Sequence, residues 1–104
     1  MPKVAKSTRR MRVRTDLLNY LKQNKMTANY WYDLIEDYMA LWDIKENLIS
    51  DVKKYGTTVI GRTGPKKNDA VAELPKISKR MTEILKVLNL EYTEKEGEDD
   101  DDDV

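Results

Sequence analysis

The stretch ANYWYDLIEDYMALWDIKENLISDVKKYG, residues 28–56, decides the fold. Its apolar residues return at helical spacing in two stripes. One is Trp31, Ile35, Tyr38, Trp42, Ile49 and Val52; the other is Leu34, Leu41, Leu48 and Tyr55. Such spacing predicts an amphipathic α-helix. Thr27 is the expected N-cap, with Met26 stapled onto Trp31. Asp33, Glu36 and Asp37 lie near the start and Lys53 and Lys54 in the last turn, as the helix dipole favours. Gly56 is placed to end it. A helix over 28–55 is about 42 Å long.

Outward from this helix, the pattern predicts two more. Upstream, Leu17, Leu18 and Leu21 make a short apolar face, so a helix is expected over 16–25 with Thr15 as its cap. Downstream, Val71, Leu74, Ile77, Met81, Ile84, Leu85 and Leu88 predict a third helix over 69–88, capped by Asn68 and ended by Asn89. Pro75 cannot donate to the carbonyl of Val71, so a kink or a later start near 74 is expected. Between helices two and three lies TTVIGRTGPKK, residues 57–67. Thr57–Ile60 favours strand and Gly61–Gly64 a turn, which predicts a hairpin-like tongue. The fold class expected is therefore mainly α, with three helices, a small tongue and disordered ends.

The chain has 104 residues, 19 basic and 19 acidic, with no cysteine and no histidine. That length suits one domain. The absence of cysteine and histidine excludes disulfides, thiolate nucleophiles and histidine-based acid–base or metal chemistry. No apolar run approaches the roughly 20 residues of a membrane span. No carboxylate pair has a partner base or nucleophile, so nothing points to an enzyme or to a cofactor. The charges are sorted by position. Residues 1–14 hold six cations and no acid; residues 91–104 hold nine acids and one lysine. The expected organisation is a flexible basic arm over 1–14, a helical core and oligomerisation domain over 15–90, and a disordered acidic tail over 91–104.

Two basic clusters suit phosphate contacts. The arm offers Lys3, Lys6, Arg9, Arg10, Arg12 and Arg14. The tongue and the helix end before it offer Lys53, Lys54, Arg62, Lys66 and Lys67. Each contact to duplex DNA makes affinity fall by about 0.9 log units per decade of salt. The plainer reading is a solvated arm and a solvated connection. Trp31, Leu34, Ile35, Tyr38, Leu41, Trp42 and Ile49 are expected to face a second subunit, since a domain this small can hardly hide both stripes. A helix-turn-helix reading of QNKMT and the helix after it is disfavoured, because Asp33, Glu36 and Asp37 would enter the groove. The tail acids Glu98, Asp99, Asp100, Asp101, Asp102 and Asp103 suit a basic partner; lacking fixed geometry, they are not a metal site.

The order of these phrases resembles the small subunits of phage terminases. The aromatic-rich helix ends in a glycine, here Gly56. A short basic tongue follows, then an asparagine-led helix, Asn68-Asp69-Ala70-Val71, which closes on Leu88-Asn89-Leu90. Asp69 stands where that family usually has proline, and Asn89 where it has glycine. The resemblance implies a ring-like oligomer, without catalysis of its own, that recognises double-stranded viral DNA in the host cytoplasm. It would regulate a large subunit carrying the ATPase and nuclease. A stand-alone DNA-binding regulator and a protein–protein adaptor are the alternatives.

Overall fold

The computed structural model describes residues 5–90. The expectations for Lys3 in the arm and for the acidic tail, Glu98–Asp103 included, concern residues outside that span. The described chain runs α1 (Lys6–Gln23), α2 (Asn29–Tyr55), β1 (Thr58–Gly61), β2 (Gly64–Lys67) and α3 (Asp69–Val87). Both outer helices run antiparallel to α2. The hairpin extends from the joint where α2 gives way to α3.

The three helices and the hairpin match the expected architecture, but α1 does not begin at residue 16. It starts at Lys6, so the described part of the supposed flexible arm is ordered helix and Thr15 lies inside it. Local apolar spacing could not show this, because the added turns are stabilised by charge. Arg, Met and Lys are good helix formers. The mutual repulsion of Arg10 and Arg14, one turn apart, is cancelled by carboxylates on α2.

The core lies where all three helices meet. Leu17 and Leu21 from α1, Ile35, Met39 and Trp42 from α2, and Met81 and Leu88 from α3 are buried together. Two residues expected at a subunit interface, Ile35 and Trp42, are thus inside the protomer's own core, at 0% and 7% exposure. The longer α1 accounts for Trp42, which its added turns reach through Arg9; Ile35 is enclosed where Leu17, Leu21, Met81 and Leu88 meet.

Helix ends explain the corners. Lys25 and Asn89 both take left-handed backbone, φ 57° and 62°. After each, a backbone N–H reaches back five residues, Met26 to Leu21 O at 2.9 Å and Leu90 to Leu85 O at 3.0 Å. These closures satisfy carbonyls that a helix end otherwise leaves open. Asn89 behaves as expected. Lys25, expected at the end of α1, lies two residues past Gln23 and closes that helix. Tyr20 Oη lies 2.8 Å from Leu88 O and 3.0 Å from Asn89 O, so its hydroxyl donates into the end of α3 and ties it to α1.

One local expectation fails, and of the two outcomes expected at Pro75 the later start is not seen. Thr27 does not cap α2; Ala28 holds the cap position without a side-chain bond. Pro75 does not delay α3, which begins at Asp69 and continues through the proline. Asn68 supplies the reason, because its side chain fixes the first turn upstream of Pro75 (Oδ1 accepts from Ala70 N at 3.1 Å).

Candidate nucleic-acid interface

The two basic clusters meet different fates. On α1 most of the arm cations are spent within the fold. Arg10 makes a two-bonded pair with Asp43, at 2.7 and 3.1 Å, and Arg14 a second with Glu36, at 3.2 and 3.0 Å. Arg9 pairs with Glu46 and lies over the Trp42 ring, 5.5 Å from its centre. Lys6 Nζ is 3.5 Å from Asn47 Oδ1. The Arg10 and Arg14 hydrogen bonds hold Asp43 and Glu36 below the usual carboxylate range, and the same bonds raise both guanidinium groups. Of the described arm cations, Arg12 alone is exposed with no ion-pair or hydrogen-bond partner. Acids at 36, 43 and 46 on one side of α2 were the signal for this ladder, and they were legible beside arginines at 9, 10 and 14.

The tongue cluster is of the other kind. Between Asp51 and Asp69 the sequence has no acid, while Lys53, Lys54, Arg62, Lys66 and Lys67 all fall there. All five are exposed, and none forms an ion pair with a described residue. Lys54 Nζ sits 5.2 Å from the centre of the Tyr55 ring.

The hairpin register is Thr58 with Lys67, Val59 with Lys66, Ile60 with Pro65 and Gly61 with Gly64. Directly paired residues share a face of a strand pair. One face therefore presents Thr58, Ile60, Pro65 and Lys67, and the other Val59 and Lys66. Ile60 is 83% exposed. Arg62 and Thr63 form the tip. Neither has positive φ; Gly64 takes that burden at φ 127°. Gly61 is needed for a different reason. A Cβ there would lie 3.1 Å from Lys66 Cδ, so its absence lets the Lys66 stem lie along the ribbon toward the tip.

Asn68 fixes the base of the tongue. It is 5% exposed. Besides capping α3, its Nδ2 donates to Gly56 O at 2.9 Å and its backbone N–H to Thr57 O at 2.8 Å. One side chain thus joins the end of α2 to the start of α3 and sets the stem from which the hairpin projects. Its cap role was readable in sequence; its grip on Gly56 was not.

Of the other residues expected at an interface, Trp31, Leu34, Tyr38 and Leu41 pack partly against the core, and Ile49 is half-buried. Burial pushes the Tyr38 phenol up. An open groove between α2 and α3 is lined by Asp37, Ala40, Leu41, Arg80, Glu83 and Ile84. No group of acids suited to a metal ion occurs among the described residues, and no described helix is long and apolar enough to cross a membrane. The chain matches no protein-family model, no curated protein and no solved structure.

Proposed function

We propose that this protein binds double-stranded DNA through the tongue, as an oligomeric small subunit of the phage terminase type. The observation that carries the DNA-binding reading is the tongue and its base: three exposed cations on an acid-free hairpin and two more at the end of α2, none paired with a described residue, held at a fixed joint. Arg9, Arg10 and Arg14 of α1, read from sequence as phosphate contacts, are occupied by carboxylates and hold α1 on α2. The terminase setting rests on the order of sequence phrases from the aromatic helix to Leu88-Asn89-Leu90. Assembly is supported by apolar surface left on the helices of a small fold, with Ile44, Tyr55 and Val87 exposed. In that setting the protein has no catalytic role, and the acids of residues 98–103 would meet a basic large subunit.

The test is DNA affinity against salt for the intact chain. Lys53, Lys54, Lys66 and Lys67 together changed to Ala should weaken duplex binding. The salt dependence should flatten by about 0.9 for each phosphate that no longer meets a lysine. Unchanged affinity and slope would remove the tongue as the site. Light scattering addresses the assembly: a monomer mass at micromolar concentration contradicts it, and a dimer favours the stand-alone regulator.

A further inference from the structure

Given that DNA-binding reading, on which this step rests, we infer that the tongue enters the major groove tip first, with Arg62 reading base edges and Lys66 and Lys67 gripping the two phosphate walls. Three features of the hairpin lead there.

The first is thickness. A sheet with side chains on both faces occupies about 10 Å, as the spacing of stacked sheets shows. The major groove is about 12 Å wide and admits a two-stranded ribbon as it stands; the minor groove, at about 6 Å, must first be widened by deforming the duplex.

The second is length. The Gly61–Gly64 pair lies three residues beyond the Thr58–Lys67 pair. At about 3.4 Å per residue this is roughly 10 Å, against a major-groove depth of about 8.5 Å. When the base of the hairpin stands at the phosphate rim, the tip reaches the base edges.

The third is the placement of charge. The two lysines of β2 are neighbours in sequence, so they point to opposite faces of the ribbon, as the register requires. A ribbon entering tip first turns one face to each DNA strand and offers each a lysine. Lys53 and Lys54 stand just before the stem, where the ribbon leaves the groove. Arg62 is the one long hydrogen-bonding side chain in the two-residue tip. A guanidinium reads guanine O6 and N7 with two bonds, the commonest specific base contact. The exposed Ile60–Pro65 pair on the Lys67 face suits apolar contact with a thymine methyl group.

The experiment selects a preferred site from a pool of random duplexes with the full-length chain. It then measures binding to that site and to a scrambled duplex by fluorescence anisotropy at several salt concentrations. Arg62→Ala should reduce the preference for the selected site by about 10-fold or more, the worth of one bidentate base contact. Replacing the site's guanines with 7-deazaguanine should reproduce that loss in the wild type and add nothing to the variant. Lys66→Ala and Lys67→Ala should each lower the salt slope by about 0.9 and leave the preference intact. Arg62 makes no hydrogen bond or ion pair with a described residue, so an unchanged circular-dichroism spectrum will show the variant folded. The groove assignment is overturned if the wild type has no site preference. It is equally overturned if Arg62→Ala keeps the preference, or if a minor-groove ligand displaces the protein while 7-deazaguanine has no effect. A wild type that binds DNA yet fails these tests leaves the DNA-binding reading standing. A wild type that binds no duplex at all defeats both.

Discussion

Replacing Asn68 tests whether one side chain sets the joint between the helices and the tongue. Asn68→Ala removes the N-cap of α3, a loss of typically about 1 kcal/mol. It also strips Gly56 O of its donor at 2.9 Å. Gly56 is half-buried, so water replaces that bond in part, and the cost falls near the lower end of the range of about 1–3 kcal/mol for an unsatisfied buried group. The expected total is about 2–3 kcal/mol. Asn68→Asp separates the two parts. It keeps the acceptor for Ala70 N–H and suits the helix dipole, but it cannot donate to Gly56 and instead turns a carboxylate oxygen toward that carbonyl at a buried position. It should cost about 1–2 kcal/mol. Urea unfolding followed by circular dichroism reads both. Each kcal/mol lowers the melting temperature of a domain this small by about 4–8 °C, so Asn68→Ala should lose roughly 10–20 °C. DNA affinity should fall as well, although no charge is removed, because the tongue loses its fixed stem. A loss below about 0.5 kcal/mol for Asn68→Ala refutes the joint. Equal stability of Asn68→Asp and the wild type refutes the contribution of Gly56.

Arg10→Ala should destabilise the fold and leave the salt slope of DNA binding unchanged, whereas a slope that falls by about 0.9 would return this arginine to the DNA. Trp42→Ala should cost about 3–5 kcal/mol at any protein concentration, because the ring is buried in its own protomer; a loss that disappears at high concentration would mark a subunit contact. Glu36 and Asp43 have lowered folded-state values, so their contribution is present above the unfolded carboxylate range and is lost as pH falls through the lower folded values. Thermal melts should therefore show stability declining below about pH 4.5, and Glu36→Gln with Asp43→Asn should flatten that decline; an unchanged acid profile in the double variant contradicts the ladder.

The repeating apolar spacing of 29–55 and 69–87 made α2 and α3 legible from sequence alone, since a helix that buries one face must repeat near every fourth residue. Local backbone chemistry was legible too. The β-branched run and glycine pair gave the hairpin, Asn68 the cap of α3, and Asn89 its left-handed end. These are interactions between residues a few positions apart. What only the tertiary structure decided depends on partners far away in sequence. The turns of α1 before Thr15 carry arginines whose repulsion looks unfavourable until Asp43 and Glu36 come beside them, 33 and 22 residues along the chain. The same docking moved Ile35 and Trp42 from an expected subunit contact into the core, because burial depends on which element lies opposite. It also divided two clusters alike in composition: Arg9, Arg10 and Arg14 meet carboxylates across the helix pair, and the cations of the tongue and its base, which pair with no described acid, keep their charge for a partner.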